Sequence, residues 1–256
     1  FGSIQRIEPF MSCSARLPIY VLFSQMFFGK NAMLAAFSMY LIGILVAIIV
    51  AFIINKNSKK EGDTNLLIEL PEYKAPNMHT IFIYVWGKVE DYLTKAGTTI
   101  FAASVVVWFV LNFGPNGMVK DMSQSFGAMI GKAIAPLLAP AGLGMWQVAV
   151  ALISGIAAKE VVVSSFSVLF HVNNINTAAG MASLTEALAG AGFGALNAYS
   201  LMVFCLLYIP CAATIGVIRR ETGSVKWTAF TIFFQLAVAW LVSVLIFQIG
   251  SLFLAG

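Results

Sequence analysis

Two uncharged apolar runs constrain this chain more than any other feature. Residues 33–54 and 228–254 carry no Asp, Glu, Lys or Arg, and a run of about 20 apolar residues is what a helix needs to cross a bilayer. Across the 256 residues, 60% are hydrophobic and only 10% are charged, against about 25% charged in soluble domains. Mean hydropathy is +0.89. These values exclude a soluble globular domain, a disordered tail and a disulfide-stapled secreted module. They predict an all-α, polytopic helical membrane protein, in which every backbone polar group must be satisfied within the fold. The net charge of +4 is no nucleic-acid signal, because the cations lie mostly between the apolar runs. Three Cys and two His are too few for a disulfide framework or a ligand-rich metal cluster. The chain opens at Phe1 without an initiator Met or a signal-peptide pattern, so it reads as a fragment of a larger membrane protein.

Further spans are expected at 96–113, at 146–170 despite Lys159 and Glu160, and at 199–218 with Pro210 inside. Two stretches are open between a kinked span and a re-entrant hairpin. One is 10–28, interrupted by Arg16 and Pro18. The other is 126–143, rich in Gly and Pro. Residues 55–95 form the one long polar stretch and hold six Lys, which places them on the cytoplasmic side, with Arg219, Arg220 and Lys226. Residues 172–198 lack Lys and Arg and are assigned outside. Met78, Ile81, Phe82, Val85, Trp86, Val89 and Leu93 fall on one helical face. This pattern predicts an amphipathic helix, either lying on the cytoplasmic membrane surface or packed against a soluble domain. Three segments follow: 1–55, 56–95 and 96–256.

Ionisable groups inside spans are costly and mark a pathway or a buried partner. Lys159 and Glu160 are neighbours, so their side chains point about 100° apart on a helix and cannot neutralise each other. Ser154 and Gly155 just before them suggest an interrupted helix, as in transporters. The competing structural reading is an ion pair that fixes helix packing. Cys13 and Cys211 lie in similar surroundings, Pro9-Phe10-Met11-Ser12-Cys13-Ser14-Ala15 and Ile209-Pro210-Cys211-Ala212-Ala213-Thr214. Proline frees a backbone carbonyl, and a thiolate beside freed carbonyls suits a borderline-soft divalent cation. The similarity of the two segments also suggests an internal repeat with a site between its halves. Candidate metal-contacting residues are therefore Cys13, Cys211, Glu160, Ser12 and Met11, with Lys159 as gate or charge partner. Cys205 reads as a small core hydrophobe, and His171 as a hydrated interfacial side chain or an outer cation contact. No G-x-x-x-x-G-K-[ST] segment is present, so the chain carries no P-loop of its own.

The run Pro9-Phe10-Met11-Ser12-Cys13-Ser14-Ala15-Arg16-Leu17-Pro18-Ile19-Tyr20 resembles the signature after the first membrane repeat of FeoB-type ferrous iron transporters. Leu70-Pro71-Glu72-Tyr73, Gly155-Ile156-Ala157-Ala158-Lys159-Glu160 and Pro210-Cys211-Ala212-Ala213-Thr214 with Arg219-Arg220-Glu221 are similar to later segments of that family, in the same order. The resemblance implies a Gate-type repeat domain with broken or re-entrant helices that imports Fe2+ across the bacterial inner membrane. It also implies partners: the lipid bilayer, an N-terminal GTPase domain that uses GTP and Mg2+, small Feo accessory proteins and a homo-oligomer. Cys13 and Cys211 match family cysteines proposed to line the path, and Lys159-Glu160 matches the repeat's charged pair. Rival readings are a nucleoside or other solute transporter on the same scaffold, an intramembrane Cys or Glu enzyme, and a passive anchor. No mid-membrane His stands ready to activate a Cys nucleophile, and an anchor has no use for a buried charged pair.

Overall fold

The computed structural model describes residues 13–57, 77–115, 117–119, 122–172, 175 and 177–254. Met11, Ser12 and the Leu70-Pro71-Glu72-Tyr73 motif lie outside them. A 3-10 turn, Ser14–Arg16, leads into α1 (Leu17–Phe28). Pro18 sits in the first turn of α1, where its missing N–H has no intrahelical partner to lose. It therefore starts the helix and does not break it. A second 3-10 turn, Gly29–Asn31, joins α1 to α2 (Ala32–Asn57), which contains the uncharged run.

Helix α3 (Met78–Asn112) is continuous over 35 residues, or about 52 Å at 1.5 Å per residue. It joins the expected amphipathic helix to the span expected at 96–113. Asn77 caps it by accepting from the His79 N–H. All seven apolar positions of the predicted face, Met78 to Leu93, are exposed, so no described protein segment covers them. A two-residue hairpin pairs β1 (Phe113–Gly114) with β2 (Gly117–Met118).

The remaining helices are short until the last. They are α4 (Phe126–Leu138), α5 (Trp146–Ser154), α6 (Val161–Leu169), α7 (Ala178–Gly190), α8 (Ala195–Leu207) and α9 (Ala212–Thr222). None approaches the roughly 20 residues of a straight span. Helix α10 (Val225–Leu254) does, with 30 residues. Among the described residues two helical stretches are long and apolar enough to cross a membrane, Leu17–Ile53 and Val225–Phe253, or up to 4 if each bent pair is one span. Those pairs turn by 103° between α4 and α5 and by 105° between α7 and α8.

The interruption expected near Ser154 and Gly155 divides the stretch at 146–170, and the stretch at 199–218, expected as a single span, is divided as well. Each is divided into two short helices with an irregular segment between, 155–160 in one and 208–211 in the other. The second division has a clear cause. Pro210 lacks the N–H that helix continuation requires and pushes the residue before it out of the helical region. The stretch at 126–143 also ends as a bent element, with a 3-10 turn at Ala139–Ala141 and Gly142 in the left-handed region (φ 72°).

Helix α8 is the axis of the fold. Residues 200–208 are buried on every side, as befits a helix that is apolar all round. It packs on α10, α1 and α2, while α1 also reaches α6 through an edge-on contact between Phe23 and Phe166 (5.2 Å between centroids). Small residues let these helices approach, which is the main source of cohesion where the surroundings are as apolar as the side chains. At Gly250 a Cβ would run into the Leu196 side chain. The outer faces of α2 and α10 expose Phe37, Ile44, Ile48, Phe233, Leu245 and Phe253. In water these would be liabilities, but in a bilayer they are the solvated surface.

Candidate functional site

The two divided helices meet. The Ala212 N–H donates to the Ile156 carbonyl at 2.9 Å, linking the irregular segment after α5 to the one after α8. The Lys159 ammonium spans the same junction. Its Nζ donates to the Ile209 carbonyl at 2.8 Å and lies 3.4 Å from the centroid of the Tyr208 ring. Lys159 is 2% exposed. Both short helices, α5 and α8, end at this junction, so their last carbonyls present the negative ends of two helix dipoles to it. A cation belongs in such a place, for the same reason that unwound carbonyls and half-helix C-termini hold cations in transporters.

Magnitudes show that the contacts suffice to hold an ammonium there. Placing a Lys at the centre of a membrane helix costs about 2.5–3.5 kcal/mol on insertion scales. A desolvated cation–π contact returns about 2 kcal/mol, and a hydrogen bond from a charged group about 1.5–3 kcal/mol. Gly155 makes room for the arrangement, because a Cβ there would overlap the Tyr208 hydroxyl and the Val162 side chain. Ser154 and Ser165 then tie α5 to α6, their Oγ atoms 2.6 Å apart in the core.

The three cysteines lie within electrostatic range of the same ammonium. Arg16, Cys205, Cys13 and Cys211 all lie close enough to act electrostatically on Lys159. Cys211 is half-buried at the N-terminus of α9, with its Sγ 3.3 Å from the Thr214 Oγ1. Cys13 is exposed and immediately precedes the turn into α1. The two similar sequence segments thus place their cysteines alike, each at the entrance to a helix. Arg16, whose charge marks the edge of an apolar run in the sequence, is 3% exposed.

The neighbouring carboxylate stands apart. Glu160 is exposed at the start of α6, whereas Lys159 is buried. Adjacent residues in a turn point to different surroundings, and here one faces the junction and the other leaves it. Among the described residues no group of three or more His, Cys, Asp or Glu could hold a metal ion. His171 lies outside the junction, exposed and with a left-handed backbone (φ 54°), beside a cavity lined also by Thr177 and Ser183. A second cavity of about 330 Å³, lined by Ile134, Leu152, Ile156, Phe204 and Trp240, is almost wholly apolar and unsuited to an ion.

Sequence reasoning missed three members of the junction. Cys205 has no motif around it, and its exposure to the charges comes from the position of α8. Tyr208 carried a signal, since an aromatic two residues before a helix-stopping proline can fold back over the gap. Arg16 was visible only as an interruption.

Comparisons with known proteins bear on the family of the chain. The family described as "Ferrous iron transport protein B C terminus" matches residues 36–88, and the Gate family, described as "Nucleoside recognition", matches residues 93–225. A protein of Staphylococcus aureus named Fe(2+) transporter FeoB is 40% identical over 247 residues, covering 96% of this chain and 36% of its own length. A protein of the same name from Methanocaldococcus jannaschii is 38% identical over 254 residues, again 96% of this chain and 36% of its own length. In Porphyromonas gingivalis a protein named Fe(2+) transport protein A/Fe(2+) transporter FeoB fusion protein is 34% identical over 289 residues, covering 96% of this chain and 34% of its own length. The chain thus spans about a third of the length of these relatives. No solved structure matches. The chain belongs to the FeoB-type family, combining a Gate domain with a ferrous iron transport protein B C-terminal segment.

Proposed function

We propose that this chain is part of the membrane route of a ferrous iron importer, and that Fe2+ passes the junction of the two divided helices. The observation that carries the reading is the placement of a buried cation, Lys159, at the C-terminal ends of α5 and α8, within electrostatic range of Cys13, Cys205 and Cys211. What holds an ammonium there holds a metal cation by the same forces: freed carbonyls and helix dipoles, with thiols as softer ligands for a borderline ion. Cys13 and Cys211 hand the ion on, with Met11 and Ser12 contributing beside Cys13. Glu160, at the exposed edge of the junction, supplies negative charge on approach.

Lys159 serves as the gate. At a separation of 5 Å and an effective dielectric of 20, a divalent ion and an ammonium repel by roughly 7 kcal/mol. They cannot share the site, so Lys159 must leave the Ile209 carbonyl before the ion arrives. Movement of that one side chain also releases the Tyr208 ring, which couples the gate to the backbone of the second divided helix.

In the whole protein this region works with an N-terminal GTPase domain, which supplies GTP and Mg2+ chemistry from outside this chain. It sits in the bacterial inner membrane with residues 55–95 on the cytoplasmic side. A small accessory protein of the Feo type is a partner, a reading supported by the fused relative. The chain itself is not an enzyme.

The test is anaerobic uptake of radioactive iron by the full-length protein in proteoliposomes, comparing wild type with the Cys13→Ser/Cys211→Ser double variant at equal expression. Uptake should fall by about tenfold or more if two ligands are lost. Full uptake by the double variant removes both thiols from the route. An excess of nucleoside in the same assay should leave iron uptake unchanged; competition would favour a nucleoside substrate on the Gate scaffold.

A further inference from the structure

Helix α10 carries a buried face of Thr228, Thr231, Gln235, Ala239 and Ser243. The two threonines donate to carbonyls of their own helix or its lead-in, Thr228 to Ser224 and Thr231 to Trp227. Gln235 differs. It is fully buried, and neither its Nε2 nor its Oε1 has a hydrogen-bond partner among the described residues. An unpaired buried amide costs about 1–3 kcal/mol, and an apolar side chain of the same size would avoid that cost.

The packing of α8 against α10 fixes where Gln235 lies. The helices run antiparallel, with Leu196 against Gly250 and the Ser200 Oγ 3.5 Å from the Ser243 carbonyl. From that contact Tyr208 is eight residues on along one chain, and Gln235 eight residues back along the other. At 1.5 Å per residue both displacements are about 12 Å in the same direction. Gln235 is therefore level with the Tyr208–Cys211 segment. Tyr208 is itself buried at this level, with a hydroxyl that has no partner among the described residues. Two orphan polar groups from two helices thus lie at the level of the junction that Lys159 occupies.

We propose that Gln235 is a further cation-contacting position on the route, its amide oxygen taking the Fe2+ ion or a water of its hydration shell when the ion occupies the junction. An amide oxygen is a hard neutral ligand that complements the thiols of Cys13 and Cys211 without adding charge. The inference rests on the proposed iron route and names one more residue in it.

Gln235→Leu and Gln235→Glu in the full-length protein, reconstituted in proteoliposomes, test it. Thermal unfolding of Gln235→Leu should be unchanged or raised, since an unpaired amide is removed. The KM for Fe2+ should rise about tenfold, the effect of one lost ligand contact, and discrimination against Mn2+ should change with it. Gln235→Glu should lower the KM for Fe2+. Gln235→Leu with wild-type KM and selectivity would overturn the assignment. Should that variant fail to fold, an unchanged KM in Gln235→Glu would overturn it equally. Absence of Fe2+ uptake by the wild type would instead defeat the route itself.

Discussion

The two helix divisions that form the junction achieve the same opening by different means. The one at 208–211 is imposed by covalent chemistry, because Pro210 cannot donate and cannot tolerate a helical residue before it. It contributes backbone: the Ile209 carbonyl, the Ala212 N–H and the turn that presents Cys211. The one at 155–160 contains no proline. It is held open by what fills it, namely the Tyr208 hydroxyl beside Gly155 and the Lys159 ammonium reaching across to the other division. One side is a rigid frame and the other is set by tertiary contacts. Lys159, proposed above as the gate, belongs to the second.

The contrast can be broken most severely at Lys159. Lys159→Glu places a carboxylate against a carbonyl oxygen and the negative face of an aromatic ring, an uncompensated buried charge worth about 3–5 kcal/mol. The expected outcome is loss of monodisperse protein in fluorescence-detected size-exclusion chromatography. Normal yield would show that Lys159 does not hold the junction.

Gly155→Ala comes next. A Cβ there meets the Tyr208 hydroxyl and Val162, and such overpacking costs about 1–3 kcal/mol. The melting temperature should fall and iron uptake with it. The reverse pairing sharpens the point: Tyr208→Phe combined with Gly155→Ala should recover part of the lost stability, because the clashing hydroxyl is gone.

Pro210→Ala should have a smaller effect on stability, about 1 kcal/mol, since the turn is also held by the Lys159 and Ala212 hydrogen bonds. Its effect on transport should exceed its effect on melting, because the frame loses rigidity where the carbonyl is presented. Glu160→Gln is the mildest. As an exposed side chain it should leave stability within about 0.5 kcal/mol and reduce uptake most at low ionic strength, where attraction at a distance is least screened. Equal uptake at low and high salt would remove Glu160 from the approach path.

How much of this was legible in the sequence follows the same division. The uncharged runs that became α2 and α10 need only length and hydropathy to be recognised, and they were. The helix interruption near Gly155 was expected from Ser154, Gly155 and the charged pair, and Cys13, Cys211 and Lys159 were singled out together. What sequence could not supply was the partner of Lys159. A backbone carbonyl fifty residues away leaves no side-chain signature, and an aromatic face looks like any core tyrosine. Tertiary position likewise separated Lys159 from Glu160, which share a local context but not an environment. Pro18 was read as interrupting the run 10–28, and the structure starts α1 beside it, which sequence alone could not distinguish from a kink inside a helix. Gln235 sat unnoticed inside an apolar run, since burial without a partner is a property of packing alone.

The central claim is that Fe2+ is held by thiols where the two divided helices meet. Iron K-edge X-ray absorption on the full-length protein, loaded anaerobically with one equivalent of Fe2+, tests this most directly. The route predicts an iron–sulfur scattering path that is lost in Cys13→Ser/Cys211→Ser. A spectrum fitted by oxygen and nitrogen ligands alone, identical in wild type and double variant, would contradict it.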